Sequence, residues 1–310
     1  MKVHYGVENL GIEKPFITIG SFDGVHRGHL HIIDALRRVA SAQGAFSTVI
    51  TFDPHPRCVL NPNEPPVQIL SSMAEKIELL ERAGVEHLIV LPFTKELAEM
   101  SYREFVEDFL IDKIGMVGLI VGYDHRFGKG REGDYSKLVE LSDSLGFYLE
   151  QETPFSERDI NISSTKIRNA LVSGEVDLAN NYLGYTYSCR GMVVEGFHVG
   201  RKIGFPTANI ALDASNKMIP GNGVYAVRAY CDGKEYCGML DIGTRPTVHE
   251  NGVRSIEANL FGLNGSIYGK ELILYFVAKM RNEQRFNSCE ELAAQLRRDK
   301  ENALSILGEY

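Results

Sequence analysis

The rhythm of this chain changes once, near Gly184, and that change limits the folds open to it. From Ile17 to about residue 183, apolar runs of strand length alternate with segments whose apolar residues recur at helical spacing. Phe46 to Phe52, His87 to Leu91, Val117 to Val121 and Phe147 to Glu150 read as strands, and Leu30, Ile33, Leu36, Val39 and Ala40 as one face of a helix. Ser72-Met73-Ala74-Glu75 and Ser101-Tyr102-Arg103-Glu104 have the form of capping boxes that open further helices. Such alternation predicts a doubly wound, mostly parallel sheet covered on both faces, with ligands beyond the carboxyl ends of its strands. From Tyr185 onward the strands are short, and Asp232-Gly233, Asn251-Gly252 and Asn264-Gly265 mark tight turns between them. That pattern predicts a small β-barrel, with Ser288-Cys289-Glu290-Glu291 capping a closing helix to about Leu307. The expected organisation is an α/β domain, 1–183, followed by a β domain, 184–310.

Composition narrows the chemistry. A net charge of -8 over 310 residues argues against a broad electrostatic footprint for DNA or RNA. The five cysteines form no CxxC pair and fit a reducing cytoplasm. Residues 1–11 lack a basic stretch followed by an apolar run, so no signal peptide is expected. No segment approaches the roughly 18 apolar residues that suggest a membrane span. Small-molecule chemistry in the cytoplasm is the expectation, and nothing in the sequence fixes an oligomeric state.

Gly20-Ser21-Phe22-Asp23-Gly24-Val25-His26-Arg27-Gly28-His29 joins the end of a buried strand to the start of a helix. His26 and His29, three apart, share a helix face where unpaired N–H groups and a partial positive charge suit a polyphosphate. Gly20, Phe22, Asp23 and Gly28 belong to the same cradle, with Asp23 either orienting the loop or touching the ligand. At the far end of the domain, Ser163-Ser164-Thr165-Lys166-Ile167-Arg168 offers Ser164 or Thr165 as a helix cap. Lys166 and Arg168 bring cations to a first turn, where they are unfavourable unless an anion compensates. Asp53-Pro54-His55-Pro56-Arg57 could fix His55 and Arg57 at a strand end. Gly122-Tyr123-Asp124-His125-Arg126-Phe127-Gly128 suits recognition of a flat heterocycle or is an ordinary loop.

In the second half, Gly200-Arg201-Lys202-Ile203-Gly204-Phe205-Pro206-Thr207-Ala208-Asn209 sets Thr207 and Asn209 two apart, their oxygens on one face of an extended segment. Two neutral oxygens suit Mg²⁺, and Gly200, Lys202 and Gly204 could close over phosphates. In Ser255 to Leu260, Ile256, Ala258 and Leu260 face the core, so Glu257 and Asn259 share the other face. Glu257 there is either a base for an attacking hydroxyl or a solvated barrel residue.

The pairing of His26-Arg27-Gly28-His29 with Ser163 to Arg168 resembles the nucleotidyltransferase superfamily. Class I aminoacyl-tRNA synthetases share the histidine pair but usually carry a Lys-Met-Ser-Lys-Ser-type loop, which is not found here. With Thr51 to Arg57, Gly200 to Asn209, Gly223-Val224-Tyr225, Gly243 to Thr247, Glu257, Tyr268 to Glu271, and Arg281-Asn282-Glu283 with Phe286, nearly the whole chain resembles the bifunctional bacterial riboflavin kinase/FAD synthetase family. The resemblance implies a Rossmann-like FMN adenylyltransferase domain and a riboflavin kinase barrel. It implies ATP handling by His26, His29, Ser164, Thr165 and Arg168, with Asp124 near the nucleotide. In the second domain it puts Mg²⁺ on Thr207 and Asn209, the base role on Glu257, and Arg281 close to the flavin. Riboflavin, FMN and ATP are the implied partners, Mg²⁺ the cofactor, FMN and FAD the products, and apo-flavoproteins transient contacts. His125 departs from the family, which often has Phe there. The rival reading is a His-x-Gly-His nucleotidyltransferase for another small phosphorylated substrate, with a non-catalytic barrel.

Overall fold

The computed structural model describes residues 1–157, 160–196, 204–244 and 254–308. They form two compact units, Met1–Ser164 and Thr165–Tyr310.

The first unit is built on six parallel strands: β1 (Lys2–Tyr5), β2 (Pro15–Ile19), β3 (Phe46–Phe52), β4 (His87–Leu91), β5 (Gly118–Gly122) and β6 (Tyr148–Glu152), in the order β1-β4-β3-β2-β5-β6. The five residues of β2 are all buried, as a central parallel strand requires. Alternate residues along the strands feed two cores. Phe16, Val49, Leu88, Val90 and Ile120 meet Ile33, Leu36 and Val39 of α1 (Arg27–Ala42) on one face. Ile17, Ile19, Ile50, Ile89, Leu119 and Val121 meet Phe105, Phe109, Leu138 and Leu141 on the opposite face. This is the expected doubly wound sheet. Its order reverses at β2, which lies between β3 and β5, so the crevice beyond β2 and β5 is the switch point where such sheets bind ligands.

The remaining helices are α2 (Pro56–Leu60), α3 (Met73–Arg82), α4 (Lys95–Glu99), α5 (Tyr102–Glu104, widening into a π-type turn over Phe105–Lys113) and α6 (Tyr135–Leu145). Both expected capping boxes form, Ser72 with Glu75 and Ser101 with Glu104, each satisfying two otherwise orphaned N–H groups. Strand β1 goes beyond the sequence reading. It is a four-residue edge strand with Tyr5 73% exposed, and so shows no apolar run. A short pairing of β7 (Ser156–Glu157) with β8 (Ile160–Asn161) ends the unit.

The second unit opens within α7 (Ser164–Ser173), whose first residue closes the first unit, and continues with α8 (Val176–Leu183). Six antiparallel strands follow: β9 (Ser188–Val194), β10 (Ala208–Leu212), β11 (Gly223–Cys231), β12 (Lys234–Thr244), β13 (Arg254–Leu260) and β14 (Glu271–Arg281). They close as a barrel, β10-β13-β12-β11-β14-β9, and closure leaves no strand edge unpaired. Asp232 and Gly233, both at positive φ, make the two-residue turn that joins β11 to β12; Asn251-Gly252 lies outside the described residues. Tyr225, Val227, Leu240, Ile256, Ala258, Leu274 and Phe276 are buried, so Ile256, Ala258 and Leu260 turn inward as expected. Asn180 of α8 pins that helix to the barrel, donating to the Phe276 carbonyl at 2.8 Å and accepting from the Tyr187 N–H at 2.7 Å. The closing helix α9 (Cys289–Leu307) starts at its Ser288 cap and lays Leu296, Ala303 and Leu307 against Ala226 and Met239.

Candidate functional site

In the first unit the loop between β2 and α1 leaves the sheet at the switch point. Gly20 stays in the ladder, its N–H donating to the Ile50 carbonyl at 3.1 Å. Beyond it Phe22, Gly24 and Val25 have φ of 43°, 81° and 35°, and two of these are not glycine, a conformation that surrounding contacts must impose. Asp23 supplies them. Buried to 1% exposure, its carboxylate accepts from the Leu70 N–H at 2.9 Å and the Ser71 N–H at 3.1 Å, while the Gly24 N–H donates to the Ser71 hydroxyl at 2.9 Å. Asp23 thus turns toward the start of α3 and orients the loop.

The loop ends at His26, which caps α1 by accepting the His29 N–H on Nδ1 at 3.3 Å. A neutral ring bonded this way carries its proton on Nε2. The two imidazoles stack at 3.6 Å between centroids, 14° apart in plane, and the Phe22 ring lies 5.0 Å from that of His29. Gly28 makes room, since a Cβ there would sit 3.2 Å from His26 Nδ1. His29 Nδ1 is buried without a hydrogen-bond partner among the described residues, and burial, then His26, then Lys76 hold the ring well below the usual histidine range. A neutral imidazole with an unsatisfied nitrogen at a helix N-terminus is a site that awaits a polar ligand.

Asp124, just after β5, lines a cavity of about 460 Å³ together with Gly20, Phe52, Phe93, His125 and Phe127. His125 stacks on Phe127 with centroids 5.8 Å apart, and burial pushes it down to about 4. His55 lines the same cavity, its Nδ1 accepting the Arg57 N–H at 3.2 Å. Helix α7 begins at Ser164, whose hydroxyl donates to the Asp23 carbonyl at 3.0 Å. Thr165 and Lys166 are exposed and Arg168 half-buried in the first turns of α7, which belong to the second unit.

In the second unit the functional side chains stand on strands. Register pairs Asn209 of β10 with Glu257 of β13, and Glu257 in turn with Asp241 of β12, so these three polar residues lie in one row across three strands. The Thr207 hydroxyl donates to Glu257 at 3.3 Å, and Asn259 donates to the Pro206 carbonyl at 2.6 Å, which ties the start of β10 to β13. Thr207, Asp241, Glu257, Asn259 and Arg281 line a cavity of about 280 Å³ that reaches Phe286 and Leu296. Desolvation and the carboxylates of Glu283 and Glu257 push Asp241 up to about 6. Asp241 was not singled out from the sequence, where alternation could give its face but not its neighbour. Arg281 is gripped by Asp299 of α9, at 3.0 Å from Nε and 2.7 Å from Nη2, and its guanidinium lies 6.0 Å from the Phe286 ring. Gly204 is described, at φ 84°; Gly200 and Lys202 lie outside the described residues. Among those described, no group of three or more His, Cys, Asp and Glu could hold a metal. The neutral oxygen donors of Thr207 and Asn209 suit Mg²⁺ shared with phosphates. No helix among the described residues is long and apolar enough to cross a membrane.

A family model described as FAD synthetase matches residues 11–166, and one described as riboflavin kinase matches residues 183–307. The chain is 36% identical over 294 residues to the bifunctional riboflavin kinase/FMN adenylyltransferase of Bacillus subtilis, covering 94% of this chain and 92% of that one. It is also 36% identical to the protein of the same description from Escherichia coli, over 99% and 98% of the two chains. A solved structure described as a macrolide-efflux protein from Streptococcus pneumoniae superposes with a TM-score of 0.88 at 29% identity, covering 97% of this chain and 98% of that chain.

Proposed function

The chain belongs to the bifunctional riboflavin kinase/FMN adenylyltransferase family, and on that premise we propose how its residues divide the work. It phosphorylates riboflavin to FMN with ATP, and transfers the adenylyl group of ATP to FMN to give FAD and pyrophosphate.

Phosphorylation belongs to the barrel. Glu257 takes the proton from the terminal ribityl hydroxyl as that oxygen bonds to the γ-phosphorus, and the bond to the departing ADP breaks. The Thr207 hydroxyl, donating to Glu257, keeps a lone pair for a cation. Thr207 and Asn209 would hold Mg²⁺, which supplies neutralisation of phosphate charge when bound. Gly200, Lys202 and Gly204 are assigned to the phosphates, and Arg281, held in place by Asp299, to the flavin.

Adenylyl transfer belongs to the first unit's switch point. An oxygen of the FMN phosphate bonds to the α-phosphorus of ATP and the bond to pyrophosphate breaks, with no protein nucleophile required. His26 donates from Nε2, and the neutral His29 ring beside it hydrogen-bonds the phosphoryl oxygens as charge builds. Gly20, Phe22, Asp23 and Gly28 shape the loop around the triphosphate. Asp124 serves the nucleotide, and Ser164, Thr165, Lys166 and Arg168 bring hydroxyl groups and positive charge to its phosphates. The aromatic cavity beside Asp124 takes the isoalloxazine ring. In this reading the functional halves are 1–183 and 184–310. The cytoplasm, with its reducing conditions, is the proposed location, and apo-flavoproteins are proposed recipients of the FAD.

The observation that carries the proposal is the presence in one chain of a stacked histidine pair at a helix start and a Thr207–Asn209–Glu257 set at the start of β10 and on β13. The test is purified protein with riboflavin, ATP and Mg²⁺, with the flavins separated by chromatography. His29→Ala stops FAD formation while FMN still appears, and Glu257→Ala stops FMN formation while supplied FMN is still converted to FAD. Loss of both reactions in either folded variant refutes the assignment.

A further inference from the structure

Lys76 lies on α3 and is buried to 6% exposure. Lysine is almost never buried without compensation, and helical pattern alone gives no reason for it here. The surroundings supply one. Asp23 fastens the Leu70 and Ser71 amides to the phosphate loop, the Ser72–Glu75 capping box starts α3 directly afterwards, and Lys76 is the next residue. Its ammonium donates to Thr51 Oγ1 at 3.3 Å, and that hydroxyl donates to the Ser21 carbonyl at 3.1 Å. A chain of hydrogen bonds therefore runs from a buried cation to the backbone of the loop that carries Phe22 and Val25 at positive φ. The charged groups that act on Lys76 are Asp23 of the loop and Asp53 beyond β3, both of which favour its protonated form against desolvation. Those that act on His29 are His26 of its own helix and Lys76 of α3.

We propose that Lys76 is a positioning residue for adenylyl transfer: its buried ammonium, held on Thr51 beneath the Ser21–Gly24 loop, fixes the form of the loop that leads into His26. The inference rests on the reading of this loop as the adenylyl-transfer site. A positive charge beneath the loop also favours the polyphosphate above it without touching it, because charges in a poorly solvated interior act over several ångströms.

The test uses the full chain, with riboflavin phosphorylation by the same molecule as an internal control. Lys76→Met lowers kcat/KM for FAD formation from FMN and ATP by about tenfold or more, and leaves FMN formation within about twofold. With the cation gone, the His29 ring regains proton affinity, so the acid limb of the FAD-forming pH profile moves to higher pH. Lys76→Arg keeps the charge and therefore keeps the limb. Should Lys76→Met unfold the first unit, Thr51→Val removes the acceptor at nearly constant volume while keeping the ammonium, and lowers kcat/KM for FAD formation in smaller measure with the acid limb in place. Activity within about twofold of the parent in Lys76→Met, or in Thr51→Val where Lys76→Met does not fold, overturns the proposal, and so does a loss in Lys76→Met with the acid limb unmoved. His29→Ala separates the two readings. If it leaves FAD formation intact, the site assignment fails, whereas if it abolishes FAD formation and Lys76→Met is silent, only the role of Lys76 fails.

Discussion

The two sites stand on different kinds of backbone. In the first unit the functional groups lie on a strand-to-helix loop with non-glycine residues at positive φ, and its shape depends on side chains that reach back to it, such as Asp23 and the Lys76–Thr51 link. In the second unit Asn209, Glu257 and Asp241 are set by register across β10, β13 and β12, so the ladder itself fixes their spacing. Buried polar ties maintain the loop site, and strand pairing maintains the barrel site. The proposed chemistry follows the same division, with imidazole donors at a helix start for a transition state that needs no base, and a strand carboxylate for one that does.

The largest effect expected from breaking this contrast lies at Arg281 and Asp299, where the barrel site also depends on a side-chain clamp. Asp299→Ala leaves a half-buried guanidinium unpaired and costs the barrel about 3–5 kcal/mol, read as a lower unfolding midpoint of the second unit with that of the first unchanged. Next is Asp23→Ala, which strands two buried amides and costs the first unit about 3 kcal/mol. If the loop is held as described, FAD formation is lost in this variant even at temperatures where circular dichroism shows it folded, while FMN formation persists. Asn209→Ala leaves the register of β10 and β13 intact, so it lowers riboflavin phosphorylation by about 10–100-fold and raises the Mg²⁺ concentration needed for half-maximal rate, with no change in FAD formation. The smallest effect is one of pH. His125 is held at about 4 in the folded chain against 6.5 when unperturbed, so between those values the unfolded chain takes up a proton that the folded chain does not. Stability therefore rises with pH across this window and is lost as pH falls through it. His125→Phe flattens the dependence of the first unit's melting temperature between pH 4 and 6.5.

Elements defined by short-range pattern were legible in the sequence. Phe46–Phe52 and His87–Leu91 form as strands with the expected ends, because parallel strands buried on both faces read as continuous apolar runs. The Ser72, Ser101 and Ser288 caps were equally plain, since a cap is a contact between near neighbours. Groups that act through distant partners were not legible. Lys76 follows Glu75 in an amphipathic helix and reads as a solvated face until Asp23, far earlier in the chain, draws the start of α3 under the loop. Asp241 shows its face by alternation, but only the pairing of β12 with β13 sets it opposite Glu257. Arg281 was expected near the flavin on family resemblance, and its grip on Asp299 needed α9 to fold back across β14. The cap at α7 shows a smaller shift: the helix begins at Ser164 itself, and that hydroxyl serves the Asp23 carbonyl.

The claim on which the rest depends is that one chain holds two catalytic stations, adenylyl transfer at His26 and His29 and phosphorylation at Glu257. Mixing is its most direct test. His29→Ala and Glu257→Ala proteins, each folded and each retaining its own half-reaction, are combined with riboflavin, ATP and Mg²⁺, and FAD is followed by chromatography. The account predicts that neither variant alone makes FAD from riboflavin and that the mixture does, after a lag in which FMN accumulates. A mixture that makes FMN but no FAD, while the Glu257→Ala protein still converts added FMN, would contradict it.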